Sequence, residues 1–324
     1  MRTLGAAISL TALLVVATPA AADYTRIAQV TPDDDVAIGG GSVVVGATPT
    51  DGTSALTLHG LDGSVRPIAF PRPSRFVEEI QASASAMATI TQAVGGGDGD
   101  YYGPLGGPLR RLPRTTIDIA VTGDTVVTLQ RRARDRGRLE LRNVRTGKRR
   151  RIEFKGERPA IVTAAGRYAA FAVNFATGDE TIVVVDLRTG RERYRVRKPN
   201  STYGLAPDGR LWFVRGDDDP GRIMTATRSR PRPRTVARTT AYQFEYAVGP
   251  RELAVARPTA AGRSEIVLVR PNGTVRVVTP PIPSVSALAY DGTTLAFGTG
   301  TCVFAGPPPA GTPGPMTLDG CEGT

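Results

Sequence analysis

The sequence predicts an all-β fold, a seven-bladed β-propeller of four-stranded antiparallel blades preceded by a signal peptide. Three observations predict the ring. A short turn followed by an apolar run recurs about every 40 residues along the chain. A second, glycine-containing turn recurs between most of those runs. Gly 37 and Pro 26, about a fifth of the 324 residues, suit many tight turns and argue against a helical bundle.

The first turns fall at Gly40-Gly41 before SVVVGA, Ala84-Ser85 before AMATIT and Gly123-Asp124 before TVVTLQ. They continue at Ala165-Gly166 before RYAAFAV, Asp208-Gly209 before RLWFVR, Gly249-Pro250 before RELAVA and Asp291-Gly292 before TTLAFG. That makes seven units. The second turns are Asp62-Gly63, Gly106-Gly107, Thr146-Gly147, Thr189-Gly190 and Asn272-Gly273, and RSRPRP replaces the turn in the fifth unit. Asn-Gly and Asp-Gly favour two-residue hairpins because type I′ turns need positive φ. Between the turns lie β-branched runs such as ETIVVVDL and SEIVLVRP. Each unit therefore reads strand, turn, strand, loop, strand, turn, strand.

One four-stranded sheet cannot bury both faces alone, whereas a ring of sheets can. VVTLQ, YAAFAV and LAFG are too continuously apolar for a sheet with one wet face, and read as strands covered on both sides. Val77 to Ala93 is Ala-rich and has helical propensity, but Ala84-Ser85 falls in register, so strands are expected there. The segment Gly95 to Pro108, GGGDGDYYGPLGGP, then reads as a long insertion. The last unit runs out of strand at Phe304, before GPPPAGTPGP, where proline cannot donate to a ladder. Tyr24 to Val30, YTRIAQV, is the expected closing strand.

The domain reading is 1–22 signal peptide, 23–305 propeller and 306–324 Gly/Pro-rich tail pinned by a disulfide. Arg2, the apolar stretch Ile8 to Ala17 and Ala20-Ala21-Ala22 before Asp23 have the order of a secretory signal. No later stretch is apolar for the roughly 20 residues that a membrane span needs. Secretion, or a periplasmic or other extracytoplasmic location, is expected. Cys302 and Cys321 are the only cysteines, and an even pair in an exported chain is expected to form a disulfide.

LAPDGRLWFV (Leu205 to Val214) and LAYDGTTLAFG (Leu288 to Gly298) resemble the core phrase of WD40-like, TolB-type propeller repeats, and VVDLRTG resembles their outer hairpin. The resemblance spans about residues 34 to 305 and implies the architecture. It carries over no functional residue, because the matching positions are structural turns, and the WD dipeptide is absent.

The formal charge is +11 and is uneven. Residues 108 to 238 hold 31 Lys and Arg against 14 Asp and Glu, a surplus of 17; the rest hold 10 against 16. In a ring this makes three consecutive blades basic, and points to a negatively charged partner. Arg149, Arg150 and Arg151, with Arg191, Arg193, Arg195 and Arg197, are the candidate binding residues, the last four alternating and so expected to share one face. The competing reading is that these arginines, with Arg230, Arg232 and Arg234, protect outer edge strands against strand addition. The aromatics do not interleave with the arginines as a base-stacking platform requires, which argues against nucleic acid.

Catalytic signatures are sparse. His59 is the only histidine, and it reads as a strand-end surface residue. No G-x-S-x-G elbow is present. GDDDPGR (Gly216 to Arg222) and TPDDDV (Thr31 to Val36) lack alternating calcium-ligand spacing and read as solvated turns. Asn200-Ser201-Thr202 and Asn272-Gly273-Thr274 match the glycosylation pattern, the second also being a hairpin turn. The expected function is a non-enzymatic binding scaffold for a protein or an anionic cell-envelope polymer, with no cofactor and a monomeric chain. The alternative is a lactonase-like propeller hydrolase or lyase with a metal in the central channel. It would draw on Asp118, Asn174, Asp208, Glu245 and Asp291, and three or more carboxylates converging on the axis would place it ahead of the scaffold.

Overall fold

The computed structural model describes residues 24–30, 35–47, 54–72, 74–93, 99–133, 136–174, 180–197, 202–215, 221–239, 245–259 and 261–321. The first strand, β1 (Thr25–Gln29), stands apart from the blade that follows it. Blade 1 is β2 (Asp35–Gly39), β3 (Ser42–Ala47), β4 (Ala55–Gly60) and β5 (Val65–Ile68). Blade 2 is β6 (Ser74–Ala82), β7 (Ala86–Ala93), β8 (Tyr101–Pro104) and β9 (Arg110–Arg111). Blade 3 is β10 (Thr116–Thr122), β11 (Thr125–Ala133), β12 (Arg136–Asn143) and β13 (Arg149–Lys155). Blade 4 is β14 (Glu157–Ala165), β15 (Tyr168–Asn174), β16 (Glu180–Asp186) and β17 (Glu192–Arg197). Blade 5 is β18 (Thr202–Leu205), β19 (Leu211–Arg215), β20 (Gly221–Thr227) and β21 (Arg230–Thr239). Blade 6 is β22 (Tyr246–Val248), β23 (Leu253–Pro258), β24 (Ser264–Val269) and β25 (Val275–Val277). Blade 7 is β26 (Val285–Tyr290), β27 (Leu295–Thr299) and β28 (Cys302–Gly306), completed on its outer side by β1.

Every sheet has four antiparallel strands, and no described residue is helical. The ring is held by seven apolar clusters, each spanning one pair of adjacent blades. Val127, Leu139, Val162 and Phe171 join blades 3 and 4, and Leu211 and Phe213 of blade 5 pack on Ala170 and Val184 of blade 4. The last cluster sets Val36 and Val43 of blade 1 against Ala296 and Val303 of blade 7. Middle strands are buried on both faces: Leu211, Trp212, Phe213 and Val214 of β19 are all buried. Their even apolarity follows from contact with a neighbouring blade on each side.

Closure follows the sequence expectation. β1 pairs antiparallel with β28, Gln29 opposite Cys302 and Thr25 opposite Ala305. Cys302 is bonded to Cys321. Met316 and Leu318 of the returning tail pack on the cluster between blades 6 and 7, and Arg26 of β1 donates to the Asp319 carbonyl at 3.3 Å.

Val77 to Ala93 is two strands, β6 and β7, rather than a helix. The expected insertion at Gly95 to Pro108 is corrected. Residues 94–98 lie outside the described residues, and Tyr101–Pro104 is the third strand of blade 2, with Tyr102 opposite Ala88 and Gly103 opposite Met87. Gly103 is needed there because a Cβ would sit 2.5 Å from the Pro108 carbonyl oxygen. A glycine required by close backbone approach reads, in sequence, as a loop glycine.

His59 is also corrected. It is buried rather than a surface residue, and its Nε2 shares a 2.8 Å hydrogen bond with Thr57 Oγ1. Burial lowers its pKa, partly offset by a hydrogen bond with the backbone of Ile27. The strand-end position hid the cover that β1, distant in sequence, supplies. The proposed signal peptide, most of TPDDDV and GDDDPGR, Asn200 and Ser201 lie outside the described residues.

Candidate functional site

The first strand of each blade lines a central channel of about 740 Å³. In each of these strands, two alternate apolar side chains pack on the preceding blade, as Val36 and Ile38 do in β2 and Ile119 and Val121 in β10. The residue just before that pair takes equivalent positions around the ring: Asp35, Glu79, Asp118, Ile161, Thr202, Glu245 and Ala287. Four of the seven are carboxylates, and all four line the channel.

Two of the carboxylates act as braces. Asp35 accepts from Val36 N at 2.8 Å and, across the blade boundary, from Ile80 N at 2.6 Å. Asp118 repeats the arrangement two blades on, accepting from Ile119 N at 2.8 Å and Val162 N at 2.5 Å. In both cases the donating strand has a register shift beside the donor, between Val77 and Glu79 in β6 and between Ala160 and Val162 in β14. A bulge breaks the ladder locally, and the aspartate takes up a backbone N–H beside it. Ile161, the bulged residue of β14, has φ +49° and an exposed side chain at the channel. A β-branched residue with positive φ is strained. It is held there by Asp118 on the next amide and by Tyr203 Oη donating to its carbonyl.

The carboxylates face one another electrostatically. Burial pushes Asp35 up to about 6, opposed by its hydrogen bonds from Ile80 and Val36 and helped by the charge of Glu245. Burial, then the charge of Asp118, pushes Glu79 up to about 7, against a hydrogen bond from Gln81. Burial also raises Asp118 and Glu245. Removing a carboxylate from water disfavours its charged form.

Of the five axial candidates from sequence, Asp118 and Glu245 line the channel. Asp208 and Asp291 do not. They cap hairpin turns, Asp208 accepting from Arg210 N at 2.9 Å and Asp291 from Thr293 N and Thr294 N at 2.8 Å. The side chain of Asn174 lies outside the described residues. Asp35 and Glu79 were missed. Aligning the residue before the apolar pair of each first strand, rather than the turn after it, would have found them. The channel carboxylates do not make a metal centre: among the described residues no three His, Cys, Asp or Glu side chains cluster closely enough to hold a metal ion. Both oxygens of Asp35 and of Asp118 are already acceptors for backbone amides.

The arginines on the outer strands have varied surroundings. Arg150 crosses to blade 4, donating to the Leu187 carbonyl at 2.7 Å and to that of Arg188. Arg151 lies 3.5 Å from Glu140. Arg195 is forked onto Glu192 at 2.8 and 2.6 Å, which raises its pKa. Arg149, Arg191 and Arg197 are exposed. The expectation that Arg191, Arg193, Arg195 and Arg197 share one face fails. Tyr194 pairs with Val184 and Glu192 with Val185, so Arg193 is an extra, bulged residue and the alternation breaks there. Arg193 instead lines a cleft of about 510 Å³ between blades 4 and 5, with Arg228, which sequence reading did not single out.

The fold recurs in solved structures of low identity. A chain of the mitotic checkpoint complex matches with a TM-score of 0.56 at 14% identity, over 94% of this chain and 99% of that one. Puromycin hydrolase matches with a TM-score of 0.55 at 13% identity, over 92% of this chain and 55% of that one. The propeller domain of the Trilobed protease from Pyrococcus furiosus, described as having an open velcro topology, matches at 0.50 and 8% identity, over 68% and 76%. The chain has the WD40-like seven-bladed propeller fold. It spans about half the length of the hydrolase chain. No known protein family matches the sequence, and no curated protein matches it.

Proposed function

We propose that this chain is an exported binding propeller that engages a protein or an anionic cell-envelope polymer through the outer strands of blades 3 to 5. One observation carries the reading. Most of the positive surplus of residues 108 to 238 lies on blades 3 to 5, where Arg149, Arg191, Arg197, Arg230, Arg232 and Arg238 are all exposed. Edge protection accounts for the one or two arginines on each other outer strand, Arg26, Arg66, Arg110, Arg111 and Arg276, but not for the three or four on each of β13, β17 and β21. The same reading includes TolB-type kinship within propellers, a monomeric chain, and removal of residues 1–22 on export. N-terminal sequencing of the mature protein should begin at Asp23.

The purified mature protein should bind anionic envelope polymer at low salt. Binding should weaken steeply towards physiological ionic strength, where exposed charges are screened within about 8 Å. No binding at low salt, or binding indifferent to salt, refutes the reading. A second reading, hydrolase or lyase, is favoured by the four channel carboxylates, and stays second because among the described residues no three of them converge closely enough to hold a metal ion. A screen of ester, lactone and peptide substrates that found turnover abolished by Glu79→Gln would establish it in place of the first.

A further inference from the structure

We infer that the cleft between blades 4 and 5 is a receptor for the phosphodiester group of a polyol-phosphate polymer, with Arg193 and Arg228 as its two cationic contacts. The inference rests on the proposed anionic-polymer reading and assigns it a place. The cleft floor is the hairpin turn Asp208-Gly209, its walls Arg193, Tyr194 and Tyr168 of blade 4 and Thr227, Arg228 and Ser229 of blade 5. Adjacent residues Arg193 and Tyr194 both line it. Regular strand alternation forbids that and the bulge in β17 permits it. Tyr194 fixes that wall to the floor, its hydroxyl donating to the Gly209 carbonyl at 2.6 Å.

The charge of the cleft is open to a ligand. Among the described residues neither Arg193 nor Arg228 has an ion-pair partner, while Arg195, two residues on, is neutralised by Glu192. The one carboxylate in the lining, Asp208, is occupied by Arg210, which its Oδ2 meets at 3.3 Å and whose amide its Oδ1 accepts. Thr227 Oγ1 and Ser229 Oγ, 3.2 Å apart, add two hydroxyls beside Arg228. Two guanidinium groups with adjacent hydroxyls suit a tetrahedral oxyanion, because guanidinium forks match its oxygens. Tyr168 offers an aromatic wall for the polyol beside it.

The test measures binding of poly(glycerol phosphate) by titration calorimetry at fixed low salt, for wild type, Arg193→Gln/Arg228→Gln and the control Arg251→Gln/Arg263→Gln, two exposed arginines outside the basic arc. Both variants remove two charges, and melting curves check that both fold. The cleft variant should lose at least tenfold in affinity, and the control should stay within about twofold. Inorganic phosphate should compete weakly and specifically with the wild type. Vesicles of phosphatidylglycerol should bind no better than the polymer. If wild type binds but the cleft variant loses no more than the control, the cleft assignment is overturned and the proposed function stands on the rest of the arc. Tighter binding to vesicles than to polymer also overturns the cleft assignment. If wild type binds none of these probes, both fall.

Discussion

Replacing Glu79 by Gln should stabilise the protein above neutral pH and leave it nearly unchanged in mild acid. Glu79 is raised from 4.5 to about 7 by burial and by the charge of Asp118. The unfolded chain ionises at the ordinary value, so between about pH 4.5 and 7 the folded state holds a proton that the unfolded state has lost. Stability contributed by this group is therefore present in acid and is lost as pH rises through 7. A shift from 4.5 to about 7 corresponds to about 3 kcal/mol at full effect. The side chain is only half-buried, and its ionisation is shared with Asp118, so about 1–2 kcal/mol is the fair expectation at pH 8. For a chain of this size that is a rise in Tm of about 1.5–3 °C. Gln keeps a hydrogen-bonding group for Gln81, which Glu79 Oε1 meets at 2.7 Å.

Scanning calorimetry of wild type and variant at pH 5, 6.5 and 8 reads the effect as a difference, so that other titrating groups cancel. The Tm gap should open with pH. A gap equal at all three values means that the change is one of packing and not of charge. A variant less stable than wild type at pH 8 refutes the argument outright.

Three further outcomes follow from the geometry. Asp118→Ala should cost about 1–3 kcal/mol by denaturant melting, because the amide of Val162 loses its acceptor; an unchanged midpoint would show that water replaces the carboxylate. Cys302→Ser/Cys321→Ser should cost about 3 kcal/mol, since the bond closes a 19-residue loop, and should speed proteolysis of the tail that Met316 and Leu318 anchor; equal melting and proteolysis would mean that the packing alone holds it. Trp212→Ala, a fully buried side chain between blades 5 and 6, should cost about 3–5 kcal/mol, and a loss below about 1 kcal/mol would contradict the close packing there.

The ring was legible in the sequence because its period is written in residues that must have a special backbone. Gly147 and Gly190, with φ of +69° and +73°, close equivalent outer hairpins. Such turns survive as Asp-Gly, Thr-Gly or Asn-Gly whatever else drifts. Blade 2 was misread in its second half because Gly103 answers a tertiary need, closeness to Pro108, that has no local signature. Tyr24 to Val30 could be assigned to blade 7 from the other direction: the tail prolines left a place beside Cys302 that only another segment could fill.

The channel was less legible for a physical reason. A carboxylate facing the axis is chosen by what stands across the ring, not by its neighbours in sequence. Asp35 and Glu245 belong to blades that are not adjacent, yet the charge of one raises the pKa of the other. Four carboxylates that burial holds at raised pKa cost the fold stability above neutral pH. Asp35 and Asp118 return part of that cost by joining neighbouring blades beside bulges. Glu79 and Glu245 make no such backbone brace among the described hydrogen bonds. Places where local logic and fold stability disagree are where function is expected, so Glu79 and Glu245, rather than the two aspartates, are the channel residues whose removal should be read for activity as well as for stability.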